Sequence, residues 1–225
     1  MKKKMLFTIL AMVLVCVLSV TGTLAYLTFT TPEVKNTFTA GDVVPENGFS
    51  LDEPDPNVDD IPEDTTIGDN QNNGKDYTNV LPGTTLPKKA NLKITKLGAK
   101  AYLFVEVLDN LPTDTAGNKS ITWTVAEGWQ VLKNGSADVK GPHNGKVYVY
   151  YKDTADTTTS LPKSDAEQTV AIIGGEDGKE LTVTGTYAGS TDAANPDSLS
   201  FYGYLCQAAG FTGAADAWAN CFATP

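Results

Sequence analysis

The sequence contains no arginine and only one histidine, and these shortages argue against whole classes of function. All 17 basic residues are lysines, against 27 acidic residues, and the formal net charge is −10. An acidic chain without arginine lacks the planar, bidentate donor that proteins commonly use to recognise phosphate. We therefore expect no nucleic-acid partner.

The single histidine, His143, limits the catalytic chemistry that the chain can perform. A His-Glu-x-x-His zinc site requires two histidines, and the sequence has no Gly-x-Ser-x-Gly nucleophile motif. His143 lies in the turn-like sequence GPHNG, which predicts an exposed loop residue. We therefore predict no catalytic residue, no metal site and no cofactor, and a protein that is not an enzyme.

Long hydrophobic runs are scarce, and the clearest one is at the N-terminus. Three lysines precede an apolar run over residues 5–20, which is short for a membrane-spanning helix of about 20 residues. The run has the length of the core of a secretory signal peptide. The small residues Thr23 and Ala25 predict cleavage between Ala25 and Tyr26, with an uncleaved membrane anchor as the alternative.

Removal of the signal peptide, residues 1–25, leaves residues 26–225, a length that suits a single domain with a substantial core. Because the leader carries three lysines and no acids, the net charge changes from −10 to −13. Within this domain residues 46–76 hold ten acids and one lysine, which predicts an acidic loop or disordered insertion. The insertion is a weak candidate for calcium association, although it lacks the spacing of an organised calcium-binding loop.

Strands dominate the predicted secondary structure. The strongest is AYLFVEVL, residues 101–108, and roughly nine such segments are separated by residues typical of turns. This pattern predicts an all-β, antiparallel β-sandwich or jelly roll. Only residues 213–222 have helical spacing, which predicts a short C-terminal helix that caps one end of the sandwich. The shared face of that helix would hold Ala214, Ala217, Trp218 and Cys221.

Two cysteines remain after removal of the leader, Cys206 and Cys221. In an exported protein they can form a disulfide, and closing a loop of this length contributes about 3 kcal/mol. The alternative is two unpaired small residues in the core. Neither cysteine has a CxxC partner or neighbouring histidines, so metal binding is not expected.

Several blocks of the sequence, in order along the chain, carry a family resemblance. They include GTLAYLT, VKNTFTAGDV, KDYTNVLPGTTLPKKANLKITKLGAKAYLFVEV and LSFYGYLCQAAGFTGAADAWANCF. With these blocks the chain resembles the bacterial TasA/camelysin family over nearly the whole mature chain except the acidic insertion. Within that family it is most similar to the BsaA-like biofilm-matrix proteins.

The resemblance implies a jelly-roll fold, secretion from a Gram-positive bacterium, leader removal by a SipW-type signal peptidase, and assembly into extracellular biofilm-matrix fibres. Self-association is then the main partnership, with other matrix proteins as further partners. In such fibres the new N-terminus adds as a strand to the neighbouring subunit. Alternatively, it forms an ordinary first strand of its own subunit. The candidate anchors are Tyr26, Leu27, Phe29, Val34 and Phe38.

Two other functions stay open beside the structural fibre subunit. The camelysin resemblance brings a secreted metalloendopeptidase as one alternative, for which the sequence has no metalloprotease motif. The other is a cell-surface glycan-binding module that uses Trp123 or Trp129. Aromatic side chains in strands more commonly pack in a core, so the fibre subunit is the leading prediction.

Overall fold

The computed structural model describes residues 28–30, 43–70, 74–152, 160–175, 181–188 and 197–222, with the backbone alone for residues 28–30. A short 3-10 helix covers Val58–Asp60, and the α-helix α1 covers Ala214–Cys221. The strands are β1 (Thr28–Thr30), β2 (Phe49–Asp52), β3 (Thr66–Asp69), β4 (Lys75–Thr78), β5 (Thr85–Leu86), β6 (Asn91–Ile94), β7 (Ala101–Asp109), β8 (Ile121–Val125), β9 (Trp129–Val131), β10 (Lys133–Asn134), β11 (Ala137–Asp138), β12 (Lys146–Tyr150), β13 (Gln168–Ala171), β14 (Ile173–Gly174), β15 (Leu181–Val183) and β16 (Leu199–Gln207).

The strands form antiparallel sheets, which confirms the predicted all-β sandwich. The largest sheet has the strand order β1-β16-β7-β12-β9. A three-stranded sheet, β13-β6-β2, shares a hydrophobic core with one of its faces. A four-stranded sheet, β14-β8-β15-β5, has a smaller core of its own, and the pairs β3–β4 and β10–β11 form two-stranded hairpins.

The sequence of β7 explains its place at the centre of the largest sheet. Its first seven residues are all buried, which requires a covering layer on both faces of the strand. Leu103 and Val105 belong to the core shared with the three-stranded sheet. Tyr102 and Phe104 alternate with them and belong to a second core on the opposite face.

The helix α1 covers this second face. Ala214, Ala217 and Trp218 are buried, as their helical spacing predicted. The ring centroid of Trp218 lies 5.2 Å from that of Phe104 and 5.0 Å from that of Tyr204, in edge-on contacts. The helix therefore packs across the face of the five-stranded sheet, whereas the sequence suggested a cap at one end of the sandwich.

The described part of the acidic segment, residues 46–76, is folded, in contrast to the loop or disorder predicted from its composition. It contains β2, β3 and the first two residues of β4, and β2 pairs with β6 of the main body. Lys75 forms ion pairs with two of its aspartates, and the hydrogen bonds that Lys75 donates to those carboxylates raise the pKa of Lys75. Lys88, outside the segment, pairs with Glu53, and both side chains are almost buried. The segment is therefore attached to the sandwich by strand pairing and lysine contacts that composition does not reveal.

The predicted signal peptide and its cleavage residues, Thr23, Ala25 and Tyr26, lie outside the described residues. Across the ranges that the structure does describe, no helix combines the length and the hydrophobicity that a membrane crossing requires.

Candidate functional site

The strand β1 lies at one edge of the five-stranded sheet, where it pairs with β16 of the same chain. The antiparallel register places Thr28 opposite Cys206, Phe29 opposite Leu205 and Thr30 opposite Tyr204. The sequence left open whether the N-terminal strand pairs within its own subunit or with a neighbour. In the single chain, β1 pairs within its own subunit. Of the predicted anchors, Phe29 lies in β1, and Tyr26, Leu27, Val34 and Phe38 lie outside the described residues.

The three β16 residues opposite β1 are firmly held in the domain. Leu205 is fully buried in the core between the two sheets. Tyr204 and Cys206 are each 1% exposed and belong to the core beneath α1. We call these three residues the β16 edge. Its side chains pack on both faces of the sheet, and its backbone pairs with β1.

A disulfide joins the β16 edge to α1. It links Cys206 to Cys221 in the last turn of the helix, with the two Cα atoms 6.8 Å apart. The sequence left open whether these cysteines bond or remain unpaired, and the structure contains the bond. Because Cys206 pairs with Thr28 in the β1 register, the covalent link lies directly beside the N-terminal strand.

The strand β7, which lies next to β16, carries a buried carboxylate at Glu106. Glu106 is 0% exposed and accepts four hydrogen bonds. Its Oε1 atom accepts from the backbone N–H groups of His143, at 2.9 Å, and Gly145, at 2.7 Å. Its Oε2 atom accepts from the Tyr204 hydroxyl at 2.7 Å and lies 3.0 Å from Nδ1 of His143. We call these residues the Glu106 cluster: Glu106, Gly141, His143, Gly145 and Tyr204.

Two glycines let the loop at residues 141–145 approach this carboxylate. A Cβ atom at Gly141 would lie within 2.6 Å of the carboxylate atoms of Glu106. One at Gly145 would lie 2.7 Å from Cγ of Glu106. Asn144 turns the loop with a φ of 67°, and its N–H donates to the Gly141 carbonyl at 2.9 Å. The GPHNG sequence thus forms a tight turn whose N–H groups point at a buried carboxylate.

His143 is exposed, in agreement with the loop prediction, but its ring is held in place. Its side chain is 41% exposed, and the ring stacks on Tyr202 with centroids 3.8 Å apart. A carboxylate oxygen offers only lone pairs, so Nδ1 carries the hydrogen in the contact with Glu106. Sequence reasoning did not find this pair. The available signal was a glutamate in the middle of the most hydrophobic strand, since such a residue needs buried donors.

Tyr204 is the member of the Glu106 cluster that belongs to β16. Burial, and then the hydrogen bond to Glu106, raises the pKa of Tyr204 far above its ordinary value of 10.0. The hydroxyl therefore stays protonated and remains a donor to the carboxylate throughout the pH range in which the protein is expected to work.

Tyr204 should make the domain sensitive to alkaline pH. The folded state holds the phenol proton more tightly than the unfolded chain, so this contribution is complete below about pH 10 and is lost as the pH rises further. We expect the free energy of unfolding to fall more steeply between about pH 10 and pH 12 in the wild type than in Tyr204→Phe. Urea unfolding at a series of pH values measures this difference, and parallel pH dependences would contradict it.

The two tryptophans considered for glycan binding are engaged inside the domain. Trp129 is 6% exposed, and its Nε1–H donates to the carbonyl of Ala171 at 2.7 Å. Trp123 is partly exposed, but its Nε1–H donates to Asp109 at 3.1 Å and its ring packs edge-on against Phe201. Both indole donors are thus used by the protein itself, and the Trp129 ring forms part of the main core.

The acidic residues do not converge on a metal site in the part of the chain that the structure describes. No group of three or more His, Cys, Asp or Glu side chains there is placed to hold an ion. No protein-family model, curated protein or solved structure matches the chain. Its function is therefore inferred from its own residues and from the sequence resemblance described above.

Proposed function

We propose that the protein is a secreted structural subunit of extracellular biofilm-matrix fibres, which polymerises by adding its N-terminal strand to the neighbouring subunit. The jelly-roll topology implied by the sequence resemblance is part of this proposal. The observation that carries it is the position of β1: a three-residue strand near the predicted new N-terminus, paired at the edge of the main sheet. An edge strand next to a free chain end is suited to exchange between subunits.

The chain is long enough for such an exchange. Twelve residues, 31–42, connect the end of β1 to Val43, where the described body of the domain begins. A fully extended connection of this length spans at most about 40 Å, which exceeds the radius of a domain of this size. The strand could then pair with the β16 edge of a neighbour in the same register that it has within its own chain. Because this contact is head-to-tail, repetition extends a filament without closing it.

The proposed maturation begins with removal of the signal peptide. A SipW-type signal peptidase would cut between Ala25 and Tyr26 and release a mature chain whose N-terminus lies two residues before β1. The mature net charge of −13 favours solubility of the free subunit. Other matrix proteins are proposed as further partners, and nucleic acid is not.

Deletion of Tyr26–Thr31 from the mature protein should leave a folded monomer that forms no fibres. The deletion removes β1, whereas the two main hydrophobic cores keep all their described residues. Negative-stain electron microscopy and circular dichroism of the same sample measure assembly and folding. A matched variant with a Gly/Ser segment in place of residues 26–31 keeps the chain length and should also fail to assemble. Fibres of normal length from either variant would contradict the proposal.

Cysteine pairs can show whether β1 pairs between subunits in the fibre. Phe29 and Leu205 are register partners, so protein carrying Phe29→Cys and protein carrying Leu205→Cys should form intermolecular disulfides when the two are mixed under assembly conditions with an added thiol oxidant. Non-reducing gel electrophoresis detects the cross-linked dimer. Thr182→Cys on the remote strand β15 replaces Leu205→Cys as the control and should give none. Equal cross-linking with both acceptors would contradict register-specific exchange.

The proposal assigns no catalytic activity to the protein. The metalloendopeptidase alternative is tested by zinc analysis of the purified mature protein and by a casein-cleavage assay. We expect neither stoichiometric zinc nor turnover. Chelator-sensitive cleavage that co-purifies with the protein would favour the alternative.

A further inference from the structure

The β16 edge is fixed from two directions at the residues that flank its central leucine. Cys206 is tied to α1 through the disulfide, and Tyr204 is tied to β7 through the carboxylate of Glu106. In the β1 register these two residues face Thr28 and Thr30. Both ends of the segment that receives the N-terminal strand are therefore connected to the interior of the domain.

The Glu106 cluster is arranged as a cooperative unit. The buried carboxylate is satisfied only when the 141–145 loop, the His143 ring and the Tyr204 hydroxyl are all in place. Loss of one donor leaves a buried carboxylate oxygen short of a partner, which is costly in a dry environment. The loop therefore stabilises the orientation of Tyr204, although Gly141 and His143 are 63 and 61 residues away from it in the sequence.

We propose that Glu106 is a positioning residue for strand addition, which holds Tyr204 so that the β16 edge is already in the geometry that an incoming β1 requires. This inference rests on the proposed function, in which β1 of one copy pairs with β16 of the next. A preorganised acceptor edge avoids the ordering cost that a mobile edge would incur at each addition. Glu106 lies on β7, which β16 separates from β1 in the sheet, and it acts through Tyr204.

The matched variants are Tyr204→Phe and Tyr77→Phe. Each removes a tyrosine hydroxyl that donates a hydrogen bond, but Tyr204 donates to Glu106 from β16, whereas Tyr77 donates to the Pro87 carbonyl from β4, outside the Glu106 cluster. In the full mature chain, Tyr204→Phe should slow seeded fibre elongation by about tenfold, whereas Tyr77→Phe should stay within about twofold of the wild type. Glu106→Gln places an amide NH2 group against the N–H and O–H groups that now donate to the carboxylate. Its fibre elongation should therefore be as slow as that of Tyr204→Phe, or slower.

Amide exchange in the monomer gives a second measurement that does not need fibres. The Leu205 and Cys206 amides should exchange about tenfold faster in Tyr204→Phe than in the wild type, while those of Leu92 and Ile94 in β6 keep their rates. An effect confined to global stability would raise the rates at both places together. That uniform change, or elongation and exchange in Tyr204→Phe equal to those of Tyr77→Phe, would overturn the inference.

Strand donation by β1 and the positioning role of Glu106 can be contradicted separately. If the chain lacking Tyr26–Thr31 still assembles, strand donation is wrong, and the exchange rates alone then decide whether Glu106 positions β16. If assembly requires residues 26–31 but Tyr204→Phe elongates like the wild type, strand donation stands and the positioning role of Glu106 is wrong.

Discussion

Replacing Gly141 with alanine is expected to destabilise the domain by about 2–4 kcal/mol, because the new methyl group would occupy the space of the Glu106 carboxylate. A flexible surface glutamate would swing aside at little cost. Glu106 is fully buried and holds four hydrogen bonds, so any displacement leaves donors of the loop and of Tyr204 without their acceptor. Urea or thermal unfolding of the mature protein measures the loss.

Gly185→Ala is the matched control for this substitution. No atom lies within 4 Å of a Cβ at Gly185, and its φ is outside the left-handed region that favours glycine. Its stability should therefore stay within about 0.5 kcal/mol of the wild type. If Gly141→Ala were as stable as Gly185→Ala, the loop would not be held against the carboxylate as described.

Removal of the disulfide should cost about 3 kcal/mol, since Cys206 and Cys221 are 15 residues apart in the sequence. For a domain of this size each kcal/mol corresponds to about 2–4 °C, so the melting temperature should fall by about 6–12 °C. Calorimetry of the mature protein with and without a phosphine reductant measures the change. The helix α1 and the aromatic core that it covers should become less protected from amide exchange in the reduced protein.

The double variant Cys206→Ala/Cys221→Ala provides the control for that measurement. It should melt near the reduced wild type and should not respond to the reductant. A wild-type melting curve unchanged by complete reduction, verified by thiol labelling, would contradict a stabilising role for the bond. A response of the double variant would show that the reductant acts elsewhere.

Local sequence patterns were sufficient for the elements that lie in the core. The apolar run predicted as a strand over residues 101–108 is β7, Ala101–Asp109, because few other conformations bury so many consecutive β-prone side chains. The helical spacing of Ala214, Ala217 and Trp218 likewise corresponds to α1. These predictions succeed because the determining residues are neighbours in the sequence, within one strand or within two turns of a helix.

The candidate site depends on contacts between distant residues, which local patterns do not contain. Glu106 and His143 are 37 residues apart, and Glu106 and Tyr204 are 98 apart. The order of the acidic segment has the same origin, since Glu53 finds its lysine 35 residues away. The position of α1 could not be predicted for the same reason. It packs on aromatic residues of β7 and β16, and these share one sheet face only after the two strands have paired.

The pairing of β1 with its own β16 edge has a consequence for how fast the proposed filaments would grow. A strand tethered through residues 31–42 is present at its own acceptor at an effective concentration in the millimolar range for a short connection. In the proposed assembly, a neighbouring subunit would have to displace that intramolecular strand, so dilute protein would remain monomeric. The proposed filaments would then grow only after a lag, which added seeds would shorten.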